Sequence, residues 1–314
     1  MNVAGHSDKG RALITGIGGF TGRHLARTLR HAGYDVYGTV QAESDANEHC
    51  FAADLLDADA LDAIVQRVRP RVVAHLAAIS FVAHGNADTI YAVNLLGSRH
   101  LLQALGRLPE PPAAVLLASS GNIFGQTALE VLDETAQPCP GNDYGVSKLA
   151  MEHMARLWLD RLPITVVRPF NYTGLGQDSR FVLPKIVEHF RRRASVIELG
   201  NLDVERDFSD VRRVVAAYEA LLSAPAPGEL FHVCSGRLYS LRQVLRTMTD
   251  LTGHTMEVRV NPAFVRQHEI TRLRGNPAKL QNFVPHLPDF ELADTLKWML
   301  HGNAGDIAAA LPTN

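Results

Sequence analysis

The sequence predicts an α/β protein built on a Rossmann-type, doubly wound parallel sheet with a smaller C-terminal lobe. Short apolar runs alternate with amphipathic stretches, a glycine-rich turn follows the first run, and the alternation loosens after about residue 170. Alternating strands and helices form parallel sheets because each crossover helix returns the chain to the same end of the sheet. We therefore expect the sheet domain mainly at 11–170, a substrate lobe mainly at 171–303, and termini at 1–10 and 304–314.

The predicted strands are apolar runs of five to seven residues, separated by helical patterns. They are RALIT (11–15), DVYGTV (35–40), RVVAHLA (71–77), AAVLLAS (113–119) and ITVVRP (164–169). Beyond them, the chain can still return to the sheet before it ends. Ligands of such sheets bind outside the carboxyl ends of the strands, so we expect functional residues just after each run.

Composition favours a small-molecule enzyme over a nucleic-acid or membrane protein. The chain has 314 residues, 46% of them hydrophobic, and a net charge of −2 without a long basic or acidic block. No apolar run approaches the ~18 residues of a membrane span, and the N-terminus lacks a signal-peptide pattern, so we expect a cytoplasmic protein. We interpret Cys50, Cys139 and Cys234 as buried, reduced thiols, and the 14 histidines show no metal-binding spacing.

The turn after the first strand has the pattern of a dinucleotide site. In TGIGGFTGRHL, Gly16, Gly19 and Gly22 are spaced G-x-x-G-x-x-G and a helical pattern follows. Glycine permits positive φ and a close backbone approach to a pyrophosphate, whose charge then meets the helix N-terminus. The end of the second predicted strand and the residue after it, GTVQ (38–41), lack the acidic residue that usually binds the ribose of NAD. NADPH is therefore favoured, with NADH possible.

Two side chains near this turn each have two possible roles. Arg23 follows the last glycine and could contact a 2′-phosphate, or be a solvated residue of the first helical turn. Asp54 ends FAAD and could face the adenine amino group, or cap the helix predicted after it.

The segment YGVSK indicates acid-base chemistry. Tyr144 and Lys148 are four residues apart at the start of a helical pattern and therefore share a face. A neighbouring ammonium lowers the pKa of a phenol, so we expect Lys148 to lower that of Tyr144. Ser120 directly follows the run at 113–119 and can bind the same substrate oxygen. Beside a nicotinamide, these three residues fit proton and hydride transfer at one carbinol carbon.

The chain resembles extended short-chain dehydrogenases/reductases of the nucleotide-sugar epimerase/dehydratase kind. Matching stretches cover nearly its whole length in the family's order: TGIGGFTG, AADLLD, HLAAIS, NLLGSRHLL, SSGNIFG, YGVSK, RPFNYTGLGQ, RDFSDV and HEITRLRGNPAKL. The resemblance implies a cofactor site at Gly16, Gly19, Phe20, Thr21, Gly22, Arg23, Asp54, Leu55, Leu76, Ala77, Ala78, Tyr144 and Lys148. It implies a nucleotide-sugar site at Ser80, Ser120, Asn122, Asn171, Val182, Lys185, Arg206, Arg266 and Glu269.

The residues after Ser120 separate reactions within this family. Related dehydratases carry a glutamate there that removes a proton from the sugar, whereas this chain has Gly121 and Asn122. Asparagine cannot act as that base, so dehydration is disfavoured and carbonyl reduction or C4 epimerisation remains.

The second half, from GNLDVERDFSDV to GELFHVCSG, is most similar to reductases that convert GDP-4-keto-6-deoxy-D-mannose into GDP-D-rhamnose. By this resemblance Tyr144 protonates the forming alkoxide, Ser120 hydrogen-bonds it and Lys148 tunes Tyr144. The alternatives are a dTDP-linked substrate, a talose-configured product, a C4 epimerase with bound NAD, and a noncatalytic NADP(H)-sensing regulator. Apolar stripes in helices expected at 87–107 and 144–161 imply, by the same resemblance, a homodimer.

Overall fold

A computed structural model describes residues 9–80, 86–265 and 270–303. Its centre is a sheet of seven strands, all paired in parallel. They are β1 (Arg11–Thr15), β2 (Asp35–Val40), β3 (Cys50–Ala52), β4 (Val72–His75), β5 (Ala114–Ala118), β6 (Ile164–Pro169) and β10 (Leu230–Val233). Their spatial order is β10-β6-β5-β4-β1-β2-β3. The sheet reverses direction of growth between β1 and β4, which opens a crevice at their carboxyl ends.

Helices cover both faces of this sheet. One face packs against α1 (Phe20–His31) and α7 (Val211–Ser223). The other packs against α2 (Ala58–Val68), α4 (Ser98–Leu105) and α5 (Asp143–Arg156), and α3 (Ala87–Tyr91) leads into α4 through a π-helical stretch at Ala92–Gly97. Each face buries its own apolar cluster, so the three layers exclude water on both sides of the sheet. The predicted fold class is confirmed.

A smaller lobe with its own apolar core follows β6. One sheet contains β7 (Asn171–Thr173), β9 (Glu205–Asp210), β11 (Leu238–Ser240) and β13 (Arg272–Leu273), and β8 (Val196–Leu199) pairs with β12 (Glu257–Val260). Its helices are α6 (Val182–Arg191), α8 (Leu241–Thr252), α9 (Ala278–Phe283) and α10 (Leu292–His301). The chain therefore leaves the large sheet at β6, returns to it at β10 and leaves it again.

Several predicted boundaries differ from the observed ones. The strands expected at 71–77 and 113–119 are shorter, and the helices expected to reach 107 and 161 end at Leu105 and Arg156. At both helix ends the next amides bond to carbonyls three residues back, Arg107 to Ala104 and Leu157 to Met154, which tightens the last turn and stops the α-helix. Apolar periodicity continues through such turns and does not reveal them.

The cysteine prediction is partly wrong. Cys50 and Cys234 are buried free thiols, whereas Cys139 is exposed on a loop that borders the cleft described below. Among residues 9–80, 86–265 and 270–303, no helix is both long and apolar enough to cross a membrane. Within the same ranges, no group of three or more His, Cys, Asp or Glu side chains is placed to bind a metal ion.

Candidate active site

A large cleft lies at the carboxyl ends of the parallel strands and extends into the smaller lobe. Its volume of about 2050 Å³ is roughly twice the ~1000 Å³ upper range for a single small-molecule pocket, so it has room for a dinucleotide and a nucleotide sugar together. Every predicted site residue that the structure describes lines it: Gly16, Gly19, Phe20, Thr21, Gly22, Arg23, Asp54, Leu55, Leu76, Ala77, Ala78, Ser80, Ser120, Asn122, Tyr144, Lys148, Asn171, Val182, Lys185 and Arg206. Arg266 and Glu269 lie outside the described residues.

The glycine loop has no space for side chains. Gly16 has φ +73°, and a Cβ there would lie 3.0 Å from the Ala77 Cα. A Cβ on Gly22 would lie 2.3 Å from the Gly16 carbonyl oxygen and 2.7 Å from the Ile17 Cα. The first turn of α1 is thus pressed against the loop, and it carries no acidic residue that would repel a phosphate. This cradle fits the pyrophosphate of a dinucleotide at a helix N-terminus.

Two side chains of α1 tie this loop to the segment after β7. The Arg23 guanidinium donates to the Gly18 carbonyl at 3.3 Å and to the Gly176 carbonyl at 3.0 Å. The Thr21 hydroxyl lies 2.8 Å from the Tyr172 hydroxyl. Tyr172 follows the predicted Asn171, and its role in holding Thr21 was not predicted, because the residue pairs with a partner 151 positions earlier in the chain.

Asp54 does not cap α2. Its Oδ1 accepts the Leu56 amide at 2.9 Å, which forms a local turn before the helix. The cap is Asp57, whose Oδ1 accepts the Ala60 amide at 2.9 Å. Asp54 still lines the cleft at the end of β3, so its predicted place beside an adenine stays a prediction.

Ser120, Tyr144 and Lys148 meet where β5 ends and α5 begins. Asn142 caps α5 by accepting the Gly145 amide at 2.9 Å, which fixes the first turn and the Tyr144 phenol that it presents. The phenol and the Ser120 hydroxyl share a hydrogen bond. Lys148 Nζ donates to the Ala118 carbonyl at 2.9 Å. The structure thus brings together the three side chains that the sequence predicted as catalytic.

The predicted effect of Lys148 on Tyr144 is not observed. Burial raises the pKa of Tyr144 to about 12, although the hydrogen bond from Ser120 opposes the rise. Burial also lowers the pKa of Lys148 to about 8. The shared helix was predicted correctly, but the loss of water around each group shifts its pKa toward the neutral form. At neutral pH Tyr144 is therefore protonated, which is the state needed to donate a proton.

The turn after Ser120 is closely packed at its first residue and open to the cleft at its second. A Cβ on Gly121 would lie 3.1 to 3.2 Å from the Phe170 ring, so packing disfavours a side chain there. Asn122 follows in a 3₁₀ turn, held by its own amide donating to Ser120 Oγ at 3.1 Å, and lines the cleft. An amide at this position can hydrogen-bond a substrate but cannot remove a proton from carbon.

Four of the predicted nucleotide-sugar residues lie on the wall formed by the smaller lobe. Asn171 is in β7 and Val182 begins α6. Lys185 Nζ donates to the Glu198 carbonyl at 2.7 Å and lies 4.6 Å from the centre of the half-exposed Phe264 ring. Arg206 donates to the Glu205 carbonyl at 3.0 Å. The ring of Phe264 was not predicted, because it lies on a short turn without a recognisable motif.

A buried polar network supports this site from behind. The Asn94 amide, in the π-helical stretch, accepts from the Ile79 amide at 2.8 Å and donates to Ser147 at 3.1 Å, and Ser147 donates to the Tyr144 carbonyl. His75 bridges Thr15 and Ser98, and burial lowers its pKa to about 3. His75 is therefore a neutral structural link between β1 and α4.

Known proteins are similar in sequence to this chain over nearly its whole length. The family described as GDP-mannose 4,6 dehydratase matches residues 13–299. A GDP-6-deoxy-D-talose 4-dehydrogenase from Aggregatibacter actinomycetemcomitans is 35% identical, over 87% of this chain and 90% of that protein. A GDP-6-deoxy-D-mannose reductase from Pseudomonas aeruginosa is 33% identical, over 92% of this chain and 96% of that protein.

Two solved structures are similar in fold and sequence. One, from Burkholderia cenocepacia J2315, has been provisionally called an epimerase; it is 48% identical with a TM-score of 0.87, covering 96% of this chain and 99% of that chain. The other, the protein RMD from Pseudomonas aeruginosa complexed with NADPH, is 30% identical with a TM-score of 0.80, covering 96% and 98%. The resemblance inferred from the sequence is confirmed: this chain belongs to the GDP-mannose 4,6 dehydratase family of extended short-chain dehydrogenases/reductases.

Proposed function

We propose that this protein reduces the C4 keto group of a nucleotide-linked 4-keto-6-deoxyhexose with NADPH, converting GDP-4-keto-6-deoxy-D-mannose into GDP-D-rhamnose. The observation that carries the proposal is the Tyr144 phenol hydrogen-bonded to Ser120 in the cleft, with an amide at Asn122 in place of a base. Such a site can give a proton to an oxygen and cannot take one from C5. The names of the two relatives above, both GDP-6-deoxyhexose oxidoreductases, support the choice of substrate class.

The residues divide the work of one carbonyl reduction. The glycine loop and the start of α1 hold the cofactor pyrophosphate, and NADPH, when bound, supplies a hydride to C4. Ser120 and Tyr144 both hydrogen-bond the C4 oxygen, and Tyr144 gives it the proton as negative charge develops there. Lys148, fixed through the Ala118 carbonyl, would hold the nicotinamide ribose. Lys185 and Arg206 on the opposite wall suit the diphosphate of the sugar nucleotide.

The experiment that tests this function follows the reduced-nicotinamide absorbance after mixing the purified protein, NADPH and enzymatically prepared GDP-4-keto-6-deoxy-D-mannose. Rapid loss of absorbance supports the reductase, and NMR of the product then reads the C4 configuration. A talose-configured product would keep the reaction and change its stereochemistry, as the name of one relative suggests. Loss of absorbance only with dTDP-4-keto-6-deoxyglucose would overturn the choice of GDP as the nucleotide. Unchanged absorbance with both sugar nucleotides, together with NAD that stays bound to the protein through gel filtration, would favour the epimerase.

Arg23 is the proposed determinant of NADPH preference. We expect Arg23→Gln to raise the NADPH dissociation constant about tenfold relative to that of NADH, because a charged hydrogen bond to a phosphate contributes ~1.5–3 kcal/mol. Gln also weakens the tie to Gly176, which affects both cofactors equally, so the ratio of the two constants is the measurement. Arg27→Gln removes the same charge from an exposed position of α1 and should leave the ratio unchanged. An unchanged ratio for Arg23→Gln would assign cofactor choice elsewhere.

We also propose a homodimer through the helices on one side of the sheet. Leu96 in the π-helical stretch, Val146 in α5 and Leu157 after α5 are 47%, 38% and 81% exposed. α4 and α5 pack on the same face of the sheet, and Tyr91 at the end of α3 donates to Asp143 at the start of α5 at 2.9 Å. We expect light scattering to give twice the chain mass and Leu157→Glu to give monomers; a monomeric wild-type protein would contradict the proposal. A cytoplasmic location stays a prediction.

A further inference from the structure

A buried ion pair lies directly behind the catalytic residues. Glu152 on α5 and Arg168 on β6 have side chains only 3% and 5% exposed. The Glu152 carboxylate accepts from Arg168 Nε at 2.9 Å and from Arg168 Nη2 at 2.7 Å. It also accepts from the Ser119 hydroxyl at 2.5 Å. A buried charge pair is a poor source of stability by itself, because desolvation offsets its attraction. Its place in the fold therefore calls for another explanation.

Glu152 is linked to the catalytic residues by two routes. The first is the backbone: Ser119 lies between Ala118, whose carbonyl holds Lys148, and Ser120, which faces the substrate oxygen. The Ser119 amide also donates to Val167 of β6 at 2.7 Å. A single carboxylate thus fixes the end of β5, which carries both the Ala118 carbonyl that holds Lys148 and the Ser120 hydroxyl.

The second route is electrostatic. Glu152 is one helical turn after Lys148, and its charge raises the pKa of that amine against the larger lowering by burial. Arg168 lies on the far side of Glu152, with its guanidinium carbon 5.3 Å from the centre of the Phe124 ring, and its Nη1 has no hydrogen-bond partner among the described residues. Two buried cations therefore share one buried anion.

Other titratable groups near Lys148 do not change charge around neutral pH. Tyr144 on α5 has its pKa raised to about 12 by burial, and His75 on β4 has its pKa lowered to about 3. Lys148, with a pKa of about 8, changes its charge close to neutral pH. Loss of its charge would leave the amine unable to bind the cofactor ribose as an ammonium.

We propose that Glu152 is a positioning residue for the reaction: it holds the end of β5 through Ser119 and stabilises the charge of Lys148, and Arg168 sets how much of its field reaches that lysine. The catalytic part of this inference rests on the proposed function. The charge coupling between Glu152 and Lys148 does not, because it can be measured without substrate.

The test is a direct titration of Lys148 by NMR in protein labelled with ¹³C at lysine. The chain has only five lysines, Lys9, Lys148, Lys185, Lys279 and Lys297, and Lys148→Arg assigns the signal. We expect Glu152→Gln to lower the midpoint of the Lys148 titration by about one pH unit and Arg168→Met to raise it by about one. The alkaline fall of kcat/KM for NADPH should move in the same two directions.

Opposite shifts distinguish this role from a merely structural one. A structural ion pair would lose activity in both variants with the Lys148 midpoint unmoved, and that result, or two shifts of the same sign, would overturn the proposal. If Glu152→Gln fails to fold, the upward shift in Arg168→Met decides alone. Titrations that shift as expected in a protein that does not oxidise NADPH would retain the charge coupling and refute the reductase.

Ser119→Ala isolates the backbone route. It removes the hydroxyl bond to Glu152 and leaves every charge in place. We expect kcat to fall about ten- to a hundredfold, the size typical of one hydrogen bond to a charged group, with KM for NADPH and the Lys148 midpoint unchanged. An unchanged kcat would show that Ser119 does not transmit the effect of Glu152.

Discussion

Tyr144→Phe is expected to lower kcat for NADPH-dependent reduction by about 10³-fold, within the ~10²–10⁴-fold range of general acid catalysis. The change removes one oxygen and no charge. Burial holds the pKa of this phenol at about 12, so the wild-type proton is present at neutral pH and is lost with the hydroxyl. Ser120 keeps its hydroxyl in the variant but would become a strongly basic alkoxide if it gave up a proton. The substrate oxygen would then be hydrogen-bonded but not protonated.

The measurement is kcat and the NADPH dissociation constant for the variant, with Tyr172→Phe as the matched control. Tyr172 is a second cleft tyrosine whose pKa is also raised by burial, and its hydroxyl lies 2.8 Å from Thr21. We expect that control to retain at least about a tenth of the activity, and both variants to bind NADPH within about twofold of wild type. A Tyr144→Phe enzyme with more than a tenth of wild-type kcat would require a different proton donor.

The same pKa predicts the form of the pH profile. A group that acts as an acid works below its pKa, so Tyr144 should produce no loss of activity between about pH 6 and 10. The alkaline loss expected near pH 8 therefore belongs to Lys148, whose ammonium form is lost as pH rises through that value. Lys148→Arg keeps the positive charge as pH rises. The alkaline fall of kcat/KM for NADPH should therefore be absent from any activity that this variant retains.

Sequence reasoning succeeded where the chemistry depends on residues close together in the chain. The four-residue spacing of Tyr144 and Lys148 places both on one face of a helix whatever surrounds them. Their pKa values depend instead on how completely other elements exclude water, and periodicity carries no such information. The prediction of a shared helix was therefore right, and the predicted direction of the Tyr144 pKa shift was wrong.

Contacts between distant segments were equally hidden. Glu152 and Arg168 both lie in predicted elements, but their pairing requires knowing that α5 packs over the end of β6. Gly121 could be recognised in the sequence, whereas its close approach to the Phe170 ring, 3.1 Å from any added Cβ, depends on a turn and a strand end meeting in space. Cys139 was interpreted as buried because composition cannot distinguish a loop at a cleft from a core position.

Gly22→Ala should weaken NADPH binding by at least about tenfold, although alanine is the better helix former. In an exposed helix the change would stabilise the protein by ~1 kcal/mol. Here the new Cβ would lie 2.3 Å from the Gly16 carbonyl oxygen and 2.7 Å from the Ile17 Cα, and both are backbone atoms that cannot move alone. Overpacking of this kind costs ~1–3 kcal/mol, so it cancels the propensity gain or exceeds it, and it shifts the loop amides that we propose bind the pyrophosphate.

Gly18→Ala is the matched control in the same loop. Its Cβ would meet only Val40 Cγ1, at an ordinary 3.5 Å, and its φ is not in the left-handed region. We expect NADPH binding by titration calorimetry to stay within about threefold of wild type for Gly18→Ala and to fall at least about tenfold for Gly22→Ala, with the urea midpoint lowered only in the latter. Equal losses in both variants would mean that the loop responds to added volume near the ligand, and that close packing of α1 against Gly16 does not set the affinity.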